Sequence, residues 1–236
     1  MKTFTWQAIC IVGALAALLS FPGISSAAHD CTFGGAISPA LPTDGDECIA
    51  SGAVTAIGVL EVDTASTSEF DIEGGVTLRI RRPGHGSSEP GSLIVDSDGF
   101  VDGGCDEALG SDVFLPVVID AVDDIENDGT LTICNLRQGV TLRAANGDMT
   151  LDGDSTFLEG SQVKLASDKG DITLDGATII SDKGTVDVAA PRGTITATNS
   201  TFTAKDGTRA CRFTGAFVDN GGNTFNCSAV VVIPSP

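Results

Sequence analysis

The sequence predicts an all-β chain wound as a right-handed, three-faced parallel β-helix of about 23 residues per coil, with an irregular, insertion-containing N-terminal half. Three observations predict it. A seven-residue pattern returns at a fixed 23-residue offset. Apolar residues within each return alternate with Thr, Asp or Lys, the period of a strand with one buried face. The composition is rich in turn formers, with 29 Gly and with Asp supplying 24 of the 32 acidic residues, while Glu, Lys and Leu are sparse. That balance disfavours a helical bundle or coiled coil and favours short strands joined by Gly/Asp turns.

The pattern Gly147-Asp148-Met149-Thr150-Leu151-Asp152-Gly153 recurs as Gly170-Asp171-Ile172-Thr173-Leu174-Asp175-Gly176. It returns, weakened, as Gly193-Thr194-Ile195-Thr196-Ala197-Thr198-Asn199. Written in this period, Val140, Val163 and Val186 form one apolar column, and Leu142, Leu165, Val188 and Cys211 a second. Met149, Ile172, Ile195 and Val218 form a third; Ile179, Phe202 and Phe225 form a fourth, whose earlier member, Phe157, is displaced by one residue. Turn columns keep the same spacing: Gly147, Gly170 and Gly193, then Gly153, Gly176, Asn199 and Gly222. Gly and Asn tolerate positive φ, so each coil is expected to bend at these places. A shared period across apolar and turn columns marks a stacked repeat. Three short strands per period leave no room for a helix, and neither a Leu/Asn consensus nor a G-G-x-G-x-D nonapeptide is present. A parallel β-helix remains, right-handed by the crossover rule, with like residues stacked about 4.8 Å apart.

From the front of the chain, residues 1–28 read as a secretory signal peptide. Lys2 is followed by a mostly apolar stretch from Ala8 to Phe21 and by small residues at Ser25 to Ala28. That stretch is short for a membrane span of roughly 20 residues, and the expected mature chain is exported, extracellular, at the cell surface or in the periplasm. Loss of Lys2 takes the formal charge from −19 to −20, which disfavours nucleic acid and anionic membranes as partners. Arg79, Arg81 and Arg82 form one tight basic cluster and are expected to pair with nearby acids.

Six cysteines follow the leader, an even number that suits disulfides in an exported chain. Six allow 15 connectivities. Pairing in order, Cys31–Cys48, Cys105–Cys134 and Cys211–Cys227, closes short loops and is the expected arrangement. A metal site is disfavoured: no C-x-x-C spacing occurs, and His29 and His85 are the only imidazoles.

Residues 29–128 read as an N-terminal cap with irregular coils and insertions, or alternatively as a separate small β domain. Val54–Leu60, Ser92–Val95, Val113–Ile119 and Thr130–Cys134 are expected strands, and 83–88 a loop. Gly75-Val76-Thr77-Leu78-Arg79-Ile80 nearly repeats Gly139-Val140-Thr141-Leu142-Arg143-Ala144 at a separation of 64, not a multiple of 23. Residues 129–236 form the regular helix, with a terminal strand around Ala229 to Ile233 and Cys211–Cys227 pinning the last coil. A solenoid needs covered ends, because a bare terminal coil exposes strand edges and apolar columns.

The run from Gly139 to Cys227, about 89 residues, resembles the three-faced right-handed β-helices of the pectin-lyase-like superfamily. Its G-x-(I/V)-T-L-x-G coils look most like those of bacterial surface proteins of the filamentous haemagglutinin type. The resemblance identifies an architecture that hosts lyases, adhesins and structural spikes. In its enzymes it implies acidic groups, sometimes with calcium, and a basic residue on one exposed strand face. The matching candidates are Asp152 and Asp175, which fall in one column, with the stacked Lys169 and Arg192. Asp148 and Asp171 fall in a second acidic column. Asp beside a turn Gly is also common for local hydrogen bonding. With Phe the only aromatic after Trp6, platforms of Tyr and Trp for sugar rings are missing. Neither histidine has the context of a triad, and no G-x-S-x-G, H-E-x-x-H or phosphate-loop pattern occurs.

Asp96, Asp98 and Asp102, and again Asp124, Glu126 and Asp128, resemble oxygen-ligand loops for Ca2+ with a turn Gly, though neither completes an EF-hand. Any such calcium is expected to brace insertions. The expected function is an exported, non-catalytic scaffold or adhesin-like binding module whose partner is a surface protein or polysaccharide. The alternative is a polysaccharide lyase or hydrolase of the pectin-lyase-like class.

Overall fold

A strand with one apolar face must satisfy backbone groups along both edges. Here each strand between the terminal coils does so with its counterparts one coil before and one coil after. The structure, a computed structural model, describes residues 36–38, 43–44, 47–50, 52–62, 69–72, 76–83, 90–97, 100–103, 116–153 and 155–235. The expected leader (1–28), His29, Cys31, His85, Asp98 and Cys105 lie outside the described residues. The chain forms a parallel β-solenoid of about 23 residues per coil, with no helix among the described residues.

Three walls result. Wall A stacks Ala53–Ile57 (β4), Thr77–Arg81 (β7), Val117–Ala121 (β10), the second halves of Thr130–Ala144 (β12) and Ser155–Ser167 (β14), the first halves of Val186–Thr198 (β17) and Cys211–Asp219 (β19), and Val230–Ile233 (β21). Wall B stacks Leu60–Val62 (β5), Leu93–Val95 (β8), Ile125–Asn127 (β11), Met149–Leu151 (β13), Ile172–Asp175 (β15) and the second halves of β17 and β19. Wall C stacks Glu47–Ala50 (β3), Glu69–Ile72 (β6), Phe100–Gly103 (β9), the first halves of β12 and β14, Thr178–Ser181 (β16), Thr201–Ala204 (β18) and Thr224–Asn226 (β20). Two short strands, Ala36–Ser38 (β1) and Thr43–Asp44 (β2), lie antiparallel on β4 and β3 and close the first coil's edge on walls A and C. The expected single strand Val54–Leu60 is two strands, because Gly58, at φ 100°, turns the corner between them.

Register follows the sequence columns where the period holds. Val117, Val140, Val163 and Val186 stack in file, as do Leu142, Leu165 and Val188, and each of these side chains is fully or almost fully buried. Three expected members are displaced. The turn at 205–210 makes the next coil 25 residues, so Cys211 stacks on Val186 and Phe213 on Val188. The following corner is then shortened at Gly215, so Phe217, not Val218, stacks on Ile195; Val218 is left 43% exposed. On wall C, Leu158 pairs Ile179, and Phe157 faces outward opposite Thr178.

The 64-residue near-repeat has a plain origin. Leu78 pairs Ile119 after 41 residues, and Ile119 pairs Leu142 after 23. The separation is therefore two coils, the first lengthened by excursions at two corners, between β7 and β8 and between β9 and β10. One excursion is clamped at its neck: Arg82 donates through Nε to Asp123 Oδ2 at 2.7 Å, and the Gly91 N–H donates to the same oxygen at 2.8 Å. Asp123 is buried, so this ion pair is better shielded than a surface one.

The interior changes character along the axis. Leu, Ile and Val fill the middle coils, whereas Phe202, Phe213, Phe217 and Phe225 fill the last ones. Phe202 stacks on Phe225 with ring centroids 5.3 Å apart, and Phe213 on Phe217 at 4.2 Å. Cys211–Cys227 ties the final coil across a Cα separation of 5.8 Å. Cys48 and Cys134 are also disulfide-bonded, and their expected partners are among the residues not described.

The stacked core makes a direct prediction. Leu165→Ala is expected to lower unfolding free energy by about 2–5 kcal/mol, and Val218→Ala by less than about 0.5 kcal/mol. Urea denaturation of the two variants checks the ranking; an equal loss would place Val218 in the core column after all.

Candidate functional site

Wall B carries most of the acids that the sequence singled out, so its outer surface is the candidate site. Its strands begin at the corner that leaves wall A and end at the corner that enters wall C. Between the corners, Glu126, Thr150, Thr173 and Thr196 share one outward column.

At the entry corner Asp124, Asp148 and Asp171 form a ladder through their side chains. Asp124 Oδ1 accepts the Asp148 N–H at 2.8 Å, Asp148 Oδ1 accepts the Asp171 N–H at 2.7 Å, and Asp171 Oδ1 accepts the Thr194 N–H at 2.6 Å. Each carboxylate thus satisfies a corner donor of the following coil. The preceding glycines are required by the same contact. Gly147, Gly170 and Gly193 do not have positive φ, contrary to expectation; an added Cβ at Gly170 would run into Asp148 Oδ1 and the Gly147 carbonyl oxygen. Close approach of coils, not backbone handedness, selects glycine there.

At the exit corner the expectation of positive φ holds for three of the four members, Gly176 at φ 67°, Asn199 at 49° and Gly222 at 73°, and fails at Gly153, where an added Cβ would instead run into the Gly129 carbonyl oxygen. Asp152 and Asp175 flank this corner one coil apart, and Asn199 Nδ2 donates to Asp175 Oδ1 at 3.3 Å. Partial burial, reinforced by the neighbouring Asp128 and Asp175 charges, pushes the Asp152 carboxyl above the usual range. Burial and then the charges of Asp124, Asp128, Asp152 and Asp148 push Glu126 up in the same direction. Asp123 moves the opposite way, held down by hydrogen bonding to Arg82 against the effect of burial.

Lys169 and Arg192 stand at the entry corner, across wall B from Asp152 and Asp175. Five residues, 170–174, separate Lys169 from Asp175, and of these 172–174 are extended in β15. Lys169 and Arg192 border a shallow recess with Arg143, Asn146, Asp168 and Pro191, where Lys169 Nζ donates to Asn146 Oδ1 at 2.6 Å. The structure therefore joins each like pair and keeps the acids away from the bases. General acid–base work on one bond needs reach of about 3 Å.

The candidate calcium ligands are also divided. Asp96 follows β8, Asp124 begins the entry ladder, Glu126 faces out from mid-wall, Asp128 sits at the exit corner, and Asp102 belongs to β9 on wall C. Among the described residues no three His, Cys, Asp or Glu side chains converge as a metal-binding group.

Wall A holds a charge ladder that the sequence reading only partly anticipated. Arg81 pairs Asp120 at 2.9 Å, Arg143 reaches Asp120 at 3.0 Å and also pairs Asp168, and Arg212 pairs Asp187 at 3.6 Å. Arg82 pairs Asp123, so two members of the basic cluster do find acids. The overlooked signal was opposite charge at spacings near one coil, as in Asp120 and Arg143. Such exposed pairs each contribute about 0–1 kcal/mol.

No family model, curated protein or solved structure matches the chain.

Two predictions follow from wall B. Because Glu126 and Asp152 titrate above their unfolded values, their contribution is favourable while they are protonated and is lost as pH rises through the raised range. The isosteric pair Glu126→Gln/Asp152→Asn is expected to melt higher than the parent at about pH 7, with the gap closed near pH 3.5; a lower melting point at neutral pH would refute the repulsion. Separately, Gly170→Ala is expected to cost about 1–3 kcal/mol by forcing coils apart. Gly176→Asn should stay within about 1 kcal/mol, since Asn199 already fills that place one coil on. Chemical denaturation distinguishes the two glycines.

Proposed function

We propose that the chain is an exported, non-catalytic β-helix protein, a surface or extracellular scaffold or adhesin-like binding module related in architecture to the pectin-lyase-like superfamily. The observation that carries this reading is the use made of the outward acids. Asp124, Asp148 and Asp171 are spent on N–H donors of the next coil, and Asp152 and Asp175 lie at the far end of wall B from Lys169 and Arg192. Groups that hold coils in register cannot change hydrogen-bond partners during turnover without loosening the wall. What wall B offers a partner instead is a flat column of Thr hydroxyls, suited to many weak contacts with a polysaccharide or a surface protein. The recess beside Lys169 and Arg192 adds a local concentration of positive charge on an acidic chain, a natural seat for an acidic group of such a partner.

The competing reading, a polysaccharide lyase or hydrolase, draws on the stacked Asp152 and Asp175, whose spacing of about 4.8 Å suits a carboxylate pair. A panel of neutral and acidic polysaccharides separates the two. Retention without new reducing ends or unsaturated products is expected, weakened by Lys169→Ala/Arg192→Ala. Turnover that disappears in Asp175→Ala would establish the enzyme instead. Calcium is expected to leave the melting point where a chelator leaves it; a shift between the two would return the Asp96–Asp128 region to consideration as a brace.

A further inference from the structure

The two ends of the solenoid are treated differently. At the N-terminal end β1 and β2 run antiparallel along walls A and C and occupy the edge. At the C-terminal end the second half of β19, β20 and β21 each have a strand on one side only, among the described residues. The last strand, Val230-Val231-Val232-Ile233, carries no charge and is 38–47% exposed at every residue. Natural edges are usually blunted by Lys, bulges or a covering element, and this one has none of these within the strand.

We propose that this end is a self-association surface, and that its occupant is the same end of a second copy, related by a two-fold axis. Charge selects the occupant. The chain carries −19 overall, so two copies repel over most of their surfaces. The end from residue 200 onward is close to neutral: it holds three cations, Lys205, Arg209 and Arg212, and two acids, Asp206 and Asp219, while Lys205 and Arg212 pair with Glu159, Asp182 and Asp187 of preceding coils. Approach of tail to tail is therefore the approach with least repulsion, whereas tail to head would set this end against an end where β1 and β2 already occupy the edges of walls A and C.

Strand geometry fits the same choice. The Cys211 N–H donates to the Ala229 carbonyl, which in a parallel pair assigns the backbone of Val231 to β19 and turns that of Val230 and Val232 to the open edge. A two-fold axis through wall A sets β21 antiparallel to its copy, so those free donors and acceptors meet their equivalents. The same operation brings the last strand of wall B, in β19, against the copy's β20 on wall C. The wall A edges then gain partners, and Phe217 and Phe225 lie at the junction. Closed two-fold pairing is self-limiting, so the product is a dimer and not a fibre.

Sedimentation velocity on the purified protein from about 1 to about 100 µM tests this. The expected result is a reversible monomer–dimer equilibrium that strengthens with added salt as repulsion between the acidic bodies is screened. Val232→Pro removes an edge-facing N–H without touching a bond to β19, and Val231→Lys sets two like charges across the axis. Each is expected to weaken the dimer at least about tenfold, while Val118→Lys, outward in mid-wall A, leaves it unchanged. Amide exchange of the parent at Val230 and Val232 should slow as concentration rises, a readout that needs no variant. A monomer throughout, a species larger than a dimer, or a dimer indifferent to both substitutions at the edge would each overturn the proposal.

Discussion

The constraint on which the molecule depends is that successive coils must lie in register, one strand spacing of about 4.8 Å apart. Main-chain hydrogen bonding imposes that spacing on every residue at once, so each side chain inherits the neighbours of its counterparts above and below. Inside, a column repeats similar residues over several coils, as in Leu142, Leu165 and Val188, or Val140, Val163 and Val186. At a corner, the chain passes so close to the coil beneath that Gly147, Gly170 and Gly193 have no room for a Cβ. Outside, like charges would stack on like, and the wall must either alternate them or bind them.

Wall A alternates. Arg81, Asp120, Arg143 and Asp168 follow one another along the axis, so each Coulombic contact between coils is attractive. Wall B binds, at the entry corner, by giving each carboxylate a backbone donor. The two solutions leave different surfaces. Wall A is occupied by its own ion pairs, whereas wall B keeps a hydroxyl column open to a partner. The functional reading follows from that difference more than from the fold itself, which is compatible with many activities.

Much of this was legible before the structure. The interior columns of the second half could be read because each residue's neighbour is set by the period alone, and the period is visible wherever coils have equal length. Reading failed where length changed. Cys211, Val218 and the partner of Ile179 were each misplaced by a corner that gained or lost residues, since two or three residues in a turn alter every later alignment while leaving the strand pattern intact. The excursions after β7 and β9 hid the equivalence of Leu78, Ile119 and Leu142 for the same reason. The acidic columns were visible as columns, but not what their carboxylates accept, because that depends on the approach distance at each corner. The separation of Asp175 from Lys169 was already implied by the five residues between them, three of them in a strand that holds its two ends apart.

The predominance of Asp over Glu follows from the same geometry. A donor of the next coil lies within reach of a carboxylate one methylene from Cα, and the distances of 2.6–2.8 Å along Asp124, Asp148 and Asp171 are those of charge-assisted bonds. Glu would need an additional rotamer fixed and a side chain folded back on itself, at an entropic cost. Repulsion between exposed carboxylates about 4.8 Å apart amounts to roughly 1 kcal/mol in water, whereas a hydrogen bond to a charged group contributes about 1.5–3 kcal/mol. At the entry corner the bond wins, and a stack of like charges becomes a brace. At the exit corner no comparable row of donors meets Asp152, and burial with two neighbouring acids wins instead, raising its proton affinity. One residue type in two columns of one wall therefore serves cohesion in the first and strains it in the second, and the difference is set by where the backbone N–H of the following coil happens to point.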